Sequence, residues 1–300
     1  MIPARAKSRP AALAGGADPL VLAAIIVTTL LWASAFVAIR SARSGYGAGP
    51  LALGRLLVSD VALSALMLAQ RVRLPARRDW PAIAACGVLW FGAYNLALNA
   101  GERLIDAGTS AMVVNVAPIT IALLAAFVLR ERLPAALLAG LVVAFAGAVV
   151  IGVGAGRRHG GLDGVALCVA AALAYTVAVV IEKPLLDRGS AIAVTWGACL
   201  AGTVACLPFA PALVADAGRA STSSTLLVAY LGVGPSAIAF TTWAYALSRS
   251  TMARQGATTY LVPPLVIAVS WLALGEVPAG VSFAGGALCL VGVAVTRRRG

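Results

Sequence analysis

The stretch Val113–Leu129, VVNVAPITIALLAAFVL, contains no charged side chain in 17 residues. Leu261–Leu274 is equally free of charge, and comparable apolar blocks recur along the whole chain. An α-helix needs about 20 mostly apolar residues to cross the roughly 30 Å hydrocarbon core of a bilayer. Because a backbone in lipid must satisfy its own hydrogen bonds, each block is predicted to be helical. The sequence therefore predicts a membrane protein that spans the bilayer many times.

The apolar blocks predict ten membrane-spanning helices with short connections. We place them at 20–40, 50–70, 81–100, 107–129, 134–153, 163–182, 191–213, 225–247, 253–275 and 279–296. Residues 154–162, GAGRRHGGL, form the most polar and glycine-rich break, near the middle of the chain. The predicted units are a cytoplasmic N-terminal tail (1–19), a first five-helix repeat (20–153), an inter-repeat loop (154–162), a second five-helix repeat (163–296) and a basic cytoplasmic C-terminus (297–300).

The two predicted halves share rare residue types at equal spacing. When residues 107–150 are shifted by 145 positions, the identical pairs include Pro118/Pro263, Glu131/Glu276, Gly140/Gly285 and Gly147/Gly292. Because each copy has an odd number of helices, two tandem copies enter the bilayer from opposite sides, as in many secondary transporters. We therefore predict inverted five-helix repeats. The paired glycines predict close packing of the fifth and tenth helices, either between the halves or in a homodimer.

The composition excludes most functions of soluble proteins. Hydrophobic residues make up 61% of the 300 positions and charged residues 11%, whereas an average soluble domain has about 25% charged residues. The net charge of +12 is spread between the apolar blocks and forms no basic stripe, so no nucleic-acid partner is expected. With the N-terminus inside, one face of the membrane receives 16 Lys and Arg residues and the other receives six. That excess predicts cytoplasmic N- and C-termini.

Five pieces of sequence carry a resemblance to a known family. They are WASAFVAIR (32–40), PLALGRLL (50–57), ALNAGERLIDAG (97–108), Pro118 through LRERL (129–133), and Gly256 through Pro263 to LGE (274–276). In this order they resemble the drug/metabolite transporter superfamily, specifically its EamA-type ten-helix transporters, with Ala33 where the family usually has Gly. The resemblance implies an all-α integral membrane fold in the bacterial plasma (inner) membrane. It also implies secondary transport of a small metabolite, often export.

Polar and aromatic residues inside the predicted spans are the candidates for a substrate site. We assign substrate binding to Trp32, Asn95, Asn115, Tyr175, Trp243 and Tyr260. Amides offer both a donor and an acceptor, which suits amino-acid-like solutes, and mid-helix rings suit the wall of a mid-bilayer cavity. The alternative for the amides is hydrogen bonding between helices. The alternative for each ring, including Trp90 and Tyr94 of the same aromatic set, is plain packing.

Charged residues within lipid mark further candidates. Arg55 and Asp60 lie on the second span. In the functional interpretation Asp60 couples transport to protons and Arg55 binds an anionic substrate. In the structural one Arg55 reaches the outer interface and Asp60 pairs with another helix. Glu131 and Glu276, at span ends near arginines, are predicted to have structural or gating roles.

Prolines interrupt two of the predicted spans. Pro118, Pro263 and Pro264 each remove a backbone donor, and we predict that they act as hinges for alternating access. The sequence contains no nucleophile–base pair, metal-ligand spacing or nucleotide-binding loop, so no enzyme activity, cofactor or metal is expected. The predicted function is alternating-access transport, with export, of an amino-acid-like or other small organic solute. A lipid or lipid-linked-sugar flippase of the same fold is the alternative.

Overall fold

The computed structural model describes residues 18–105, 107–128, 133–155, 162–275 and 280–296. Within these ranges the chain consists of helices joined by turns, with no strand. Seven helical segments are long and apolar enough to cross a membrane: Pro19–Ala42, Ala48–Ala69, Arg77–Leu104, Leu162–Leu186, Ala191–Ala217, Thr222–Leu247 and Met252–Leu274. These segments make the chain a multi-pass membrane protein.

Seven of the predicted spans correspond to these segments. The other three, 107–129, 134–153 and 279–296, coincide with helices that border residues outside the described ranges. The total of ten therefore stays a prediction. Outside the described residues also lie Glu131 and Glu276, most of the inter-repeat loop, most of the N-terminal tail, and the basic C-terminus.

We number the α-helices along the chain. They are α1 (Pro19–Ala42), α2 (Ala48–Ala69), α3 (Trp80–Cys86), α4 (Asn95–Leu104), α5 (Ala107–Val114), α6 (Ala117–Val128), α7 (Ala135–Ala155), α8 (Leu162–Leu186), α9 (Ala191–Cys206), α10 (Ala210–Ala217), α11 (Thr222–Leu231), α12 (Ala239–Leu247), α13 (Met252–Thr258), α14 (Val262–Leu274) and α15 (Gly280–Thr296). π-Helical turns at Gly87–Tyr94 and Gly232–Ile238 and 3-10 turns at Arg77–Asp79, Leu207–Phe209 and Thr259–Leu261 join neighbouring helices.

Local sequence signals set where several helices begin and end. The Asp18 side chain caps α1 by accepting a hydrogen bond from the Leu20 amide at 2.9 Å, and a proline follows at the first helical position. Thr251 caps α13 in the same way through the Arg254 amide. Such caps satisfy amides that have no partner within the helix. α14 ends at Gly275, whose φ of 65° lies in the left-handed region that favours glycine.

Helices from the two halves of the chain pack against each other. α1 lies against α12 and α14, α2 against α9, and α4 against α8. An extensive contact joins α7 to α15. There a Cβ on Gly292 would lie 2.4 Å from the amide nitrogen of Ala144, so glycine permits the close approach. The structure thus shows packing of the predicted fifth and tenth helices as a contact between the halves of one chain.

Helix starts and irregularities recur 145 residues apart. The π-helical turn at Gly87–Tyr94 begins 145 positions before the one at Gly232–Ile238. The starts of α5 and α13, of α6 and α14, and of α7 and α15 show the same offset. It is the offset that aligns the two halves in sequence, so the sequence repeat has a counterpart in the backbone.

Each π-helical turn brings a glycine against a helix of the other half. A Cβ on Gly87 would lie 2.1 Å from the carbonyl oxygen of Ala198 in α9. A Cβ on Gly232 would lie 2.7 Å from the carbonyl oxygen of Arg55 in α2. The missing side chains let these helices approach closely. π-Helical turns are frequent at functional sites, and here Trp90 and Tyr94 of the first turn line a cavity.

Candidate functional site

A cavity lies among helices of both halves. It contains about 590 Å³ of space not filled by atoms, counting the part that opens to solvent. Its lining consists of Trp32, Ala35, Phe36, Ile39, Arg55, Trp90, Tyr94, Asn95, Leu98, Val114, Asn115, Tyr175, Phe240, Thr259 and Val262. The wall is therefore mostly apolar and aromatic, with a few polar groups.

Aromatic rings form one connected wall. The ring centroids of Trp32 and Phe240 are 5.4 Å apart, and those of Trp90 and Tyr175 are 4.9 Å apart. Trp90 also packs edge-on against Phe240 at 4.8 Å. Trp243 stands behind Trp32, with centroids at 5.0 Å, and is outside the lining. Ring pairs at these distances attract one another in tilted or edge-on arrangements, so they form a continuous aromatic surface that suits a flat or apolar solute group.

Arg55 brings a positive charge to this wall. Its side chain is only 3% exposed, so it does not extend to the outer interface. The Nε–H group donates to the hydroxyl of Ser236, in the second π-helical turn, at 2.9 Å. Within the described ranges Arg55 forms no other hydrogen bond and no ion pair.

Two asparagines that line the cavity have amide oxygens without a hydrogen-bond partner among the described residues. Asn95 and Asn115 are 1% and 4% exposed. Their NH₂ groups donate to carbonyls of the preceding helical turn, that of Asn95 to Phe91 at 2.9 Å and that of Asn115 to Ala111 at 2.6 Å. Neither amide oxygen has a hydrogen-bond partner among the described residues. Leaving a buried acceptor unpaired costs about 1–3 kcal/mol.

Four of the six residues assigned to substrate binding line the cavity: Trp32, Asn95, Asn115 and Tyr175. Trp243 supports the wall from behind. Tyr260 is fully buried elsewhere, in a cluster with side chains of α6, α7 and α13. It lies at the break that corresponds to Asn115, but its ring is packed away from the cavity.

Asp60 is separated from Arg55 although both lie on α2. It is half-buried, outside the lining, and accepts a hydrogen bond from Thr203 of α9 at 2.6 Å. The five-residue spacing places the two side chains on different faces of the helix. The pairing of Asp60 with another helix is what the structural interpretation of the sequence predicted.

The prolines lie at helix starts, where proline is well tolerated. Pro118 is in the first turn of α6, after the chain leaves helical form at Asn115 and Val116. Pro263 and Pro264 are in the first turn of α14, after the 3-10 turn Thr259–Leu261. The prolines predicted as hinges therefore lie at two interruptions between short helices, one before α6 and one before α14.

Several residues of the site were not among the sequence assignments. Trp90 and Tyr94 belong to the mid-helix aromatic set but are not among the six residues assigned to substrate binding, and Phe240 has no signal beyond its hydrophobicity. Two further carboxylates, Glu102 and Glu182, lie outside the lining and are 1% and 3% exposed. Their position in the sequence could have drawn attention to them, because each lies in the last turns of a long apolar helical segment, Arg77–Leu104 or Leu162–Leu186.

Comparison with known proteins agrees with this architecture. The sequence profile of the EamA-like transporter family matches residues 19–153 and again residues 162–298. A "Probable terminal-alkyne amino-acid exporter" of Streptantibioticus cattleyicolor is 43% identical over 277 residues, covering 92% of this chain and 93% of that protein. The "Uncharacterized transporter YdfC" of Bacillus subtilis is 33% identical, with 89% and 87% covered.

More distant similarities extend the comparison. The "Aromatic amino acid exporter YddG" of Ancylobacter novellus is 28% identical over 226 residues, covering 73% of this chain and 76% of that protein. A solved crystal structure superposes with a TM-score of 0.75 at 24% identity, covering 94% of this chain and 97% of the other. At this identity the superposition shows a shared fold.

Proposed function

We propose that this chain, which belongs to the EamA-like transporter family, exports a small amino-acid-like metabolite across the bacterial inner membrane. Similar proteins named as amino-acid exporters support a small-molecule exporter and a transporter rather than an enzyme. The names of those proteins mention a terminal-alkyne amino acid and aromatic amino acids. We therefore favour amino acids with an unsaturated or aromatic side chain.

The observation that carries the proposal is the composition of the cavity wall. A connected set of rings that includes Trp32, Trp90 and Tyr175 suits an apolar or unsaturated side chain. Arg55 and the amides of Asn95 and Asn115 provide the few polar groups that orient a small ligand. A lipid or lipid-linked-sugar flippase remains the second candidate from the sequence, and the experiment below separates the two.

Transport would proceed by alternating access of two inverted five-helix repeats. Backbone breaks that recur 145 residues apart support such a repeat. Pro118, Pro263 and Pro264 would mark the hinges, because half-helices that meet at a cavity can change their mutual angle.

In this proposal both termini are cytoplasmic, and Glu131 and Glu276 have structural or gating roles. Asp60 is the proposed carrier of the coupling proton.

The test compares the culture medium of four bacterial strains by untargeted mass spectrometry. They express the wild type, Asn115→Ala, Asn99→Ala or an empty vector, with membrane protein levels matched by immunoblot. Asn99 is the matched control, because it is 1% exposed and donates to the carbonyl of Ala48 at 3.1 Å but does not line the cavity. We expect a metabolite enriched with the wild type and the control, and reduced at least about fivefold with Asn115→Ala.

Each other outcome has a defined meaning. Equal enrichment with all three proteins would keep export and contradict the role of Asn115. An unchanged medium would contradict export. In that case, a wild-type-dependent change in the outer-leaflet exposure of lipids would favour the flippase.

A further inference from the structure

We infer that Asp60 and Thr203 form a proton-binding site at the contact between α2 and α9, in which the Thr203 hydroxyl reverses its hydrogen bond when Asp60 gains a proton. The inference rests on the coupling role proposed for Asp60 and adds the residue that lets this carboxyl both hold and release a proton. Thr203 is a positioning residue, because it acts through Asp60 and lies outside the cavity lining.

One hydroxyl lies between two acceptors at this contact. Oγ1 of Thr203 is 2.6 Å from Oδ2 of Asp60 and 3.1 Å from the carbonyl oxygen of Cys199, one turn earlier in α9. A threonine hydroxyl donates one proton and accepts through two lone pairs. When Asp60 is ionised, Thr203 donates to Oδ2. When Asp60 is protonated, its O–H group donates to Oγ1 and Thr203 donates to Cys199, so neither state leaves Oδ2 or the hydroxyl without a partner.

Asp60 has no cation beside it to compensate its charge. Among the described residues it forms no ion pair, and its Oδ1 is buried without a hydrogen-bond partner. Arg55 lies on the same helix but lines the cavity. The titratable group beside Asp60 on α9 is the Cys199 thiol, which is uncharged as the donor to the Leu56 carbonyl at 3.8 Å. A lone carboxylate within a membrane span is unfavourable, and the ligand that removes its charge is a proton.

The charged groups of the helices packed against α2 lie far from Asp60. Besides Cys199, the titratable residues of those helices are Glu102, Arg103, Cys206, Asp216 and Tyr230. Asp216 accepts from the Gly47 amide at 2.9 Å, so it lies at the start of α2. Arg103 lies there too, since it donates to the Tyr46 carbonyl at 3.1 Å. Asp60 follows about 13 residues later, which is roughly 20 Å of helix.

The site lies on the lipid side of the α2–α9 contact. Both Asp60 and Thr203 are outside the cavity lining. The residues that follow them, Val61 and Val204, are exposed within membrane-spanning segments and therefore face lipid. A hydrophobic reagent dissolved in the bilayer thus reaches the half-buried Asp60 without passing through the cavity.

The test uses N,N′-dicyclohexylcarbodiimide, a lipid-soluble reagent that reacts with protonated carboxyl groups. The carboxyl proton moves to a nitrogen of the reagent while the carboxyl oxygen bonds to its central carbon, and the product rearranges to a stable N-acylurea. The full-length protein in lipid nanodiscs is treated over a range of pH, and the peptide containing Asp60 is quantified by mass spectrometry. We expect an adduct on Asp60 that forms at low pH, declines as the pH rises, and is absent from Asp60→Asn.

The variants separate the hydroxyl of Thr203 from its packing. Thr203→Val keeps the shape of the side chain but removes the donor to ionised Asp60. Because hydrogen bonds to charged groups are the stronger ones, the pH of half-maximal labelling should rise by about one unit. Thr203→Ser keeps the hydroxyl and should keep the wild-type profile. If Thr203→Val does not fold, Thr203→Ala tests the same loss.

The matched control lies at the same contact between α2 and α9. Trp196 of α9 donates to the hydroxyl of Ser64 of α2 at 2.9 Å. Ser64→Ala removes this hydrogen bond between the same two helices and should leave the pH profile of Asp60 labelling unchanged.

The inference is overturned if the wild type gives no adduct on Asp60, or an amount of adduct that does not depend on pH. It is also overturned if Thr203→Val keeps the wild-type profile, or if Ser64→Ala shifts the profile equally, because equal shifts report a loosened helix contact. The proposed function fails independently. A pH-dependent adduct with an unchanged culture medium would keep the proton site and exclude export, whereas export without an adduct on Asp60 would keep export and place the coupling proton elsewhere.

Discussion

Two interrupted helices near the centre of the molecule share a backbone plan but differ in what they present to the cavity. In the first half, the chain breaks between α5 and α6 at Asn115, whose side chain lines the cavity. In the second half, 145 positions later, the turn Thr259–Leu261 carries Tyr260, which is buried among α6, α7 and α13. The repeat therefore sets where helices break, and the side chains at the breaks decide where a site forms.

The same asymmetry holds for the whole lining. Eleven of the fifteen lining residues precede position 116, and four come from the second half. The first π-helical turn contributes the rings of Trp90 and Tyr94, whereas the second contributes Ser236, which positions Arg55. One half thus supplies most of the wall and the other supports it.

The largest effect on stability is expected at the first glycine of the π-helical turn in each half, where the helix packs against the other half. Gly87→Ala would place a Cβ 2.1 Å from the backbone oxygen of Ala198, which cannot yield without moving α9. We expect a loss of about 3 kcal/mol in the free energy of unfolding, at the upper end of overpacking effects. The measurement is thermal unfolding of the purified protein.

The control for this variant lies in the same turn. A Cβ on Gly92 would be 3.6 Å from Ala205, an ordinary contact, so Gly92→Ala should change the stability by less than about 1 kcal/mol. Equal losses for both variants would show that the π-helical turn tolerates no alanine anywhere, and that the contact with α9 is unimportant.

A smaller loss is expected at the corresponding glycine of the second half. In Gly232→Ala the new Cβ would meet the side chain of Val58 at 2.5 Å and the carbonyl of Arg55 at 2.7 Å. Because both distances are longer than the 2.1 Å at Gly87, we expect a loss of about 1–2 kcal/mol. The shift of Arg55 should also weaken binding of L-phenylalanine. A variant as unstable as Gly87→Ala would contradict the difference between the two contacts.

The third prediction concerns the two breaks themselves. Asn115→Ala should lower the export rate about 10-fold at equal protein level, because it removes a polar side chain from the cavity wall. Tyr260→Phe should keep the rate within about twofold, because the ring lies outside the lining and its packing is retained. Initial rates from preloaded cells measure both. A larger effect at Tyr260 would move the site toward the second half.

The smallest effect on binding is expected at Asp60. Asp60→Asn keeps an acceptor for Thr203, 2.6 Å away in the native protein, and lies outside the cavity lining. Binding of L-phenylalanine should therefore change less than about twofold. If Asp60 carries the coupling proton as proposed, export should lose its response to an imposed pH gradient. Export that still responds would place the coupling group elsewhere, with Glu102 and Glu182 the next carboxylates to test.

Sequence alone determined that the chain is a membrane protein, where most of its helices lie, and which polar residues lie inside them. These features depend on local composition, since roughly 20 apolar residues in lipid have one backbone solution. The 145-residue offset was also readable, because rare prolines and glycines mark helix breaks and close contacts. The same reading assigned Trp32, Asn95, Asn115 and Tyr175, which line the cavity.

Tertiary structure decided which of the polar and aromatic groups meet. Tyr260 and Asn115 occupy equivalent positions in sequence, yet only Asn115 lines the cavity. Arg55 faces the cavity while Asp60, on the same helix, turns to Thr203. Hydropathy defines a span but not the rotation of each helix about its axis, which is set by contacts between distant segments such as Gly87 with α9. A site built at the junction of many helices depends on those rotations, and for that reason it emerged only in the folded chain.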